Sequence, residues 1–144
     1  MSARFASYAP MMLSILRIMA ALIFLEHGTQ KLLGFPPGGP PNPPAAMTLL
    51  WFAGIIEMVP GFLLVTGLFT RTAAFLAAGE MALAYWIGHF PHGFWPVDNG
   101  GDAAILYCFI FLYILCAGPG PWSLDAAIAR RRPPAEDEDA APQP

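Results

Sequence analysis

Four long apolar segments constrain this chain more than any other feature of its sequence. They run over residues 11–33, 48–69, 72–90 and 101–117. Each comes close to the ~20 residues that an α-helix needs to cross a bilayer. In lipid the backbone polar groups are satisfied only within helices or closed barrels, and these segments are continuous rather than alternating. We therefore predict an all-α bundle of four transmembrane helices.

The composition agrees with a membrane protein and excludes other classes. Apolar residues make up 56% of the chain and charged residues 12%, whereas soluble domains average about 45–50% and 25%. The net charge of −3 provides no basic surface, so we expect no nucleic-acid partner. The first segment does not resemble a cleavable signal peptide, because Arg17 lies inside it and no small-residue cleavage site follows. The expected surrounding is a lipid bilayer.

The connections between the segments differ in character. Residues 34–47 are rich in proline and glycine and predict an exposed loop of polyproline type. The second and third helices meet in a tight hairpin at residues 70–71, and the third and fourth are joined through a turn at residues 98–100.

The C-terminal part predicts a surface helix and a tail. Ser123 is a candidate N-cap of a short interfacial helix, with Trp122 at the level of the lipid headgroups. The acidic, proline-rich residues 129–144 predict a disordered cytoplasmic tail. Residues 1–128 then form a single membrane domain.

The basic residues predict the orientation in the membrane. Four helices place both termini on one side, and the other side has only Lys31 near a membrane boundary. The side of the termini carries five arginines: Arg4, Arg71, Arg130, Arg131 and Arg132. By the positive-inside rule both termini are cytoplasmic, in the inner membrane of a bacterium. Arg17 lies close to the cytoplasmic boundary, where we expect its side chain to snorkel towards water.

The two cysteines do not predict a redox centre. On one helix Cys108 and Cys116 would lie ~12 Å apart along the axis at ~1.5 Å per residue. A disulfide needs Cα atoms within about 7 Å of each other. The chain has no CxxC pair, so we expect two free thiols on an apolar helix surface.

Small residues predict close helix packing. Ala74, Ala78 and Ala82 recur at four-residue spacing on the third helix, and Gly54 and Gly61 flank Glu57 on the second. Small side chains let helices approach closely in lipid. The alternative is an alanine-rich helix without a packing role.

Three carboxylates lie where a bilayer would surround them. Glu57 and Glu80 fall near the middle of the second and third helices, and Glu26 lies in the outer half of the first. A charge at the bilayer centre costs at least ~2.5–3.5 kcal/mol, so each must be protonated, paired or hydrated. We take Glu57 and Glu26 as candidate catalytic, proton-carrying residues. The alternative is structural hydrogen bonding between helices, worth about 0.6 kcal/mol on average.

The outer end of the first helix is polar over residues 26–31. Glu26 and Gln30 share one face, and His27 and Lys31 share the next. If Glu57 reaches outward to His27 and Lys31 it is ionised; otherwise it is neutral and donates a hydrogen bond. The candidate ligand-binding residues are His27, Gln30, Lys31, Trp51, Glu80, His89 and His92.

The loop after the third helix does not predict a metal site. His89 and His92 stand near Asp98 and Asp102, but Pro91 interrupts the helix between the two histidines and no cysteine joins them. We expect this loop to form the interfacial rim of the bundle, together with the aromatic residues Phe90, Phe94 and Trp95.

Several strings together resemble the DoxX family of small bacterial membrane proteins. They are LRIMAALIFLEHGTQKLLGF, WFAGIIEMVPGFLLVTGLFTRTAAFLAAGEM, HFPHGFWPVDNGGDAAILY and AGPGPWSLD, and they cover Leu16 to Asp125. The chain departs from the family pattern at Glu26, where an apolar residue is expected before the histidine. The resemblance implies a four-helix bundle in the inner membrane and a link to quinone-associated redox chemistry. The related DoxD proteins are subunits of a thiosulfate:quinone oxidoreductase, and DoxX proteins are associated with oxidative-stress defence.

Two functions fit these residues. In the first, the protein is a quinone-linked membrane subunit, in which His27, Gln30 and Lys31 donate hydrogen bonds and Glu57 and Glu26 relay protons. The sequence holds no flavin, haem or iron–sulfur motif, so the electrons would come from a redox partner protein or from the substrate. In the second, the chain is a non-catalytic scaffold or small-solute carrier with the same polar centre. Either form could assemble with further copies of itself.

Overall fold

The computed structural model describes residues 5–39 and 41–131, and all regular structure within them is helical. The all-α prediction is confirmed for this part of the chain. The helices are α1 (Ala9–Leu33), α2 (Leu49–Thr66), α3 (Thr70–Leu83), α4 (Pro96–Asn99), α5 (Asp102–Ala117) and α6 (Leu124–Arg131).

The four apolar segments each form a helix at the expected place. By length and composition α1 and α2, with 25 and 18 residues, are able to cross a membrane. The backbone of α3 continues as a π-helix over Ala84–His89 and a 3₁₀ turn over Phe90–His92. Helix α5 has 16 residues and rises ~24 Å at ~1.5 Å per residue, which is less than the ~30 Å of a typical hydrocarbon core.

The helices pack in pairs, with α1 against α2 and α3 against α5, while α2 and α3 join the pairs. The alanine face of α3 is buried as predicted at Ala74 and Ala78, but Ala82 is only half-buried and Met81 continues the core in its place. A Cβ on Gly54 would lie 2.7 Å from Cγ of Leu32. The second helix therefore uses its small residues to approach the first, as the sequence indicates.

Arg17 is wholly buried, so the prediction that it snorkels to water is wrong. Its guanidinium donates hydrogen bonds to four main-chain carbonyls, two at the end of α2 and two in the segment before α6: Leu64, Val65, Pro119 and Trp122. The last carbonyls of a helix have no intrahelical donor. Arg17 supplies that donor from inside the bundle, where its charge also complements the negative end of the helix dipole.

Two further side chains fasten the same end of the molecule. Arg71 donates to the carbonyls of Leu115 and Cys116, at the end of α5. Asp125 of α6 accepts hydrogen bonds from the backbone N–H groups of Phe69, at 3.0 Å, and Thr70, at 2.9 Å, where α3 begins. We call Arg17, Arg71 and Asp125 the terminal latch, because it ties both ends of the described chain together.

The predicted surface helix is present as α6. Ser123 caps it, because its hydroxyl accepts a hydrogen bond from the backbone N–H of Ala126 at 3.1 Å. Helix α6 extends over residues 129–131, which the sequence assigns to the tail. The rest of the predicted tail lies outside the described residues, as do Arg4 and Arg132.

Candidate functional site

An ion pair between α1 and α2 forms the centre of the site. Lys31 Nζ lies 2.5 Å from Oε1 of Glu57, and the side chains of Lys31 and Glu57 are 24% and 2% exposed. Of the two states considered for Glu57, the structure has the one in which its carboxylate reaches outward to a cation. The pair is enclosed on the side of Glu57 and reachable on the side of Lys31.

Glycine brings the two partners within reach of each other. A Cβ on Gly28 would lie 2.8 Å from the backbone nitrogen of Met58 and 2.9 Å from Cβ of Glu57. Only a glycine permits so close an approach of the two backbones. Lys31 follows Gly28 by three residues and thus lies on the same face of α1.

A second carboxylate stands beside this pair on α3. Glu80 is 8% exposed and lies within electrostatic range of Glu57 and Lys31. One oxygen of each carboxylate, Oε2, is buried and has no hydrogen-bond partner among the described residues. Buried polar atoms in proteins nearly always have a partner, and exceptions point to a proton, a water or a ligand.

A groove opens between α2 and α3, with a volume of about 600 Å³. Its walls are apolar, with Phe52 and Ile56 on α2 and Phe75 on α3. Three ionisable side chains also line it, namely Lys31, Glu80 and His89. Such a mostly apolar slot with a few convergent polar groups is typical of a small-molecule site.

One glycine on α3 and one on its π-helical continuation leave space in this groove. Gly79 and Gly88 both line it, and a Cβ on either would meet no other atom within 4 Å. His89 also lines the groove, and a hydrogen bond of 3.1 Å between its Nδ1 and the carbonyl of Asn99 fixes the ring. The sequence analysis assigned no role to either glycine. Gly79 directly precedes Glu80, and a glycine at that position could have indicated that space is left beside the carboxylate.

Three residues that the sequence proposed for ligand binding have other contacts. Gln30 donates through Nε2 to the carbonyl of Pro36 at 3.4 Å and so supports the proline-rich loop. Trp51 packs its ring against Phe52, and the exposed His92 bonds back to the carbonyl of Gly88. None of the three lines the groove.

Glu26 and His27 face towards α5. Glu26 is exposed, and its charge acts on the hydroxyl of Tyr107. The ring of His27 stands edge-on to Tyr107, with the centroids 6.4 Å apart, and His27 also lies within electrostatic range of Glu57. Neither Glu26 nor His27 lines the groove, and His27 lies near both Glu57 and Tyr107 of α5.

The rim predicted after α3 is an aromatic cluster. Phe90 contacts Phe94 and Phe94 contacts Trp95, with ring centroids 6.2 and 5.0 Å apart. The hydroxyl of Tyr85 donates to the carbonyl of Phe94 at 3.2 Å and holds the loop to the helix. No group of three or more His, Cys, Asp or Glu that could hold a metal ion occurs among residues 5–39 and 41–131. Cys108 and Cys116 are both free thiols, as the sequence predicts.

Comparison with known proteins places the chain in a family. The DoxX family model matches residues 12–90. A protein of Haemophilus influenzae described as uncharacterized is 44% identical, over 82% of this chain and 91% of its own length. An uncharacterized membrane protein of Mycobacterium tuberculosis is 30% identical over 81% of this chain and 80% of its own. The inner membrane protein YphA of Escherichia coli is 31% identical over 84% and 93%. No solved structure matches significantly. The chain is a membrane protein of the DoxX family.

Proposed function

We propose that this protein is a quinone-linked redox subunit that binds a quinone-type ring in the groove between α2 and α3. The observation that carries the proposal is the groove itself, an apolar slot whose ionisable lining residues are Lys31, Glu80 and His89. Its volume of about 600 Å³ lies within the ~300–1,000 Å³ of small-molecule sites. The groove lies between two apolar helices, so we expect a hydrophobic ligand to enter it from the bilayer.

The residues of the groove fit a ring with two carbonyl oxygens. A quinone, when bound, accepts two electrons and two protons. Lys31 supplies an ammonium donor to the groove, and His89 supplies a ring nitrogen. The unpartnered Oε2 of Glu80 is a buried polar atom that a ligand or a proton would satisfy. The apolar walls of Phe52, Ile56 and Phe75 exclude water from the ring.

The chain's own residues bind, orient and handle protons, and the electrons come from elsewhere. Among the described residues the cysteines are two free thiols, so we assign electron delivery to a partner protein or to the substrate. Glu57 fixes the position of the Lys31 ammonium through the 2.5 Å contact. We extend the proposal to a role in oxidative-stress defence, which the resemblance to DoxX proteins implies.

A bulky side chain in the groove tests the proposal directly. Gly79→Phe places a ring in the groove at a position where a Cβ meets no atom within 4 Å, and monodisperse elution from size exclusion checks that the variant folds. The matched control is Val59→Phe, which adds the same ring on the exposed face of α2 outside the groove. Binding of a short-chain quinone to purified protein in nanodiscs would be measured by isothermal titration.

We expect the Kd for the quinone to rise at least about tenfold in Gly79→Phe, a loss of about 1.4 kcal/mol, and to stay unchanged in Val59→Phe. Equal binding by both variants would remove the groove as the quinone site. Absence of binding by the unaltered protein would instead favour the scaffold or solute-carrier alternative.

We further propose that all four apolar helices cross the bacterial inner membrane, with both termini in the cytoplasm. The distribution of basic residues supports this orientation. Arg71 belongs to the terminal latch, and Arg130 and Arg131 lie on α6, which the latch holds at the same end of the bundle. A reporter active only in the periplasm should be silent when fused at Pro144 and active when inserted in the loop of residues 38–44. The reverse pattern would invert the orientation.

A further inference from the structure

The interior of the site holds one cation and two carboxylates. Lys31 is paired with Glu57 at 2.5 Å, which leaves Glu80 without a cation of its own. Both carboxylates are buried, and each has one oxygen with no hydrogen-bond partner among the described residues. An uncompensated charge in such surroundings costs several kcal/mol, so a bound proton is the simplest way to neutralise the second carboxylate.

The two carboxylates differ in what they face. Glu80 lines the groove and is 8% exposed, whereas Glu57 does not line it and is 1% exposed. Lys31, which does line the groove, donates a hydrogen bond to Oε1 of Glu57. A proton on Glu80 is therefore exchangeable with whatever occupies the groove, and a proton on Glu57 is not.

We propose that Glu80 is the proton-carrying residue of this site and presents its proton to the groove, while Glu57 remains a carboxylate that holds Lys31 in place. The assignment rests on the proposed function only for the identity of the molecule that exchanges the proton. Whether Glu80 carries it can be measured on the protein alone. The proposal replaces Glu57, which the sequence favours, with its neighbour on α3.

The groups around Glu80 support this division of roles. The charges that act on it come from Glu57 on α2 and Lys31 on α1, and His89 lies further along the groove on its own helix. Helix α5 packs on the other side of α3 and buries the apolar side chains of Ala104, Phe111 and Ile114 there. Tyr107 and Cys108 of the same helix are half-buried. The charge of Lys31 is already committed to Glu57, so Glu80 remains neutral through its proton.

A hydrophobic carbodiimide, dicyclohexylcarbodiimide, reports such a proton. It partitions into lipid and reacts only with a protonated carboxyl group. The carboxyl proton moves to a carbodiimide nitrogen, the carboxylate oxygen bonds to the central carbon, and nothing leaves, so the peptide gains the mass of the reagent. Peptide mapping by mass spectrometry on protein in liposomes identifies which glutamate is labelled.

At pH 7 we expect label on Glu80 and none on Glu57, with labelling that declines as the pH is raised. Gly79→Phe should lower the labelling of Glu80 by closing the groove, and Val59→Phe should leave it unchanged. Glu57→Gln is the sharper variant, because it frees Lys31 to pair with Glu80. Labelling at pH 7 should then fall about tenfold for each unit by which the new ion pair lowers the titration midpoint, and return on acidification.

Label on Glu57 instead of Glu80, or on neither, would overturn the proposal. Unchanged labelling of Glu80 in a folded Glu57→Gln protein would also overturn it, since the Lys31 charge would then have no part in the proton balance. Folding of each variant is checked by monodisperse elution from size exclusion. Because no quinone is present, a failure of the quinone proposal leaves this result interpretable, and the reverse holds as well.

Discussion

Replacing Arg17 by methionine should destabilise the protein more than any change at its surface. The substitution keeps an unbranched, flexible side chain but removes the guanidinium that donates to four carbonyls. The carbonyl of the fully buried Leu64 loses its donor without access to water, which costs ~2–3 kcal/mol. The carbonyls of Val65, Pro119 and Trp122 are partly exposed, and for these we assign ~0.5–1 kcal/mol each.

The expected loss is therefore about 4 kcal/mol, within the ~3–5 kcal/mol known for removal of one partner from a buried charged network. For a chain of this size it corresponds to a fall in Tm of about 12 °C. Thermal unfolding in detergent micelles, followed by the loss of the monomeric peak on size exclusion, measures it.

Two controls accompany this variant. Arg17→Lys keeps the charge but offers donors from a single point, and should lose about half as much stability. Arg130→Met, on the exposed side of α6, should be neutral within ~0.5 kcal/mol. An Arg17→Met protein within ~1 kcal/mol of the unaltered one would refute the argument, because the carbonyls would then have found other donors at no cost.

Further variants test other parts of the structure. The pKa of Asp125 lies below its ordinary value: burial would raise it, but hydrogen bonds from Thr70 and Phe69 outweigh that effect. A carboxyl group whose pKa is lowered on folding stabilises the protein at pH values above its ordinary pKa. This stabilisation is lost as the pH falls through the lowered pKa of the folded protein, so Asp125→Asn should make the stability less dependent on pH in the acid range. Gly28→Ala places a Cβ 2.8 Å from a backbone nitrogen and should cost ~1–3 kcal/mol in thermal unfolding. Replacing Cys108 and Cys116 together by serine should leave Tm and quinone binding unchanged, and a loss of either would reveal a thiol function.

The sequence predicts the helices well because their signal is local. Runs of apolar residues of bilayer length, a hairpin at residues 70–71 and the cap at Ser123 each depend on neighbours in the chain. The Glu57 pair was within reach of the same reasoning, since the sequence already offers Lys31 and His27 on α1 as cations that Glu57 on α2 could reach. What the sequence left open was whether the carboxylate would reach outward, and the glycine at position 28 decides it.

Sequence reasoning missed the partners of Arg17, the contact of Gln30 and the groove between α2 and α3. The sequence predicts Arg17 at the membrane surface, whereas the structure buries it. Its partners are main-chain carbonyls, and a pattern of side chains does not predict contacts with main-chain groups. Gln30 was expected in the site because it shares a helix with Lys31, yet it faces the proline-rich loop. The groove depends on how α2 and α3 diverge around Gly79, which is a property of packing and not of either helix alone.

The terminal latch also sets an order for the making of the protein. Asp125 supplies the acceptors for the first backbone N–H groups of α3, and Pro119 and Trp122 supply two of the carbonyls that surround Arg17. All three residues follow α5, so they leave the ribosome after helices α1 to α5 have been synthesised. Until then the beginning of α3 and the guanidinium on α1 lack these partners. The latch is therefore complete only after residue 125 has been synthesised, and a chain that stops at residue 117 lacks the contacts of Pro119, Trp122 and Asp125.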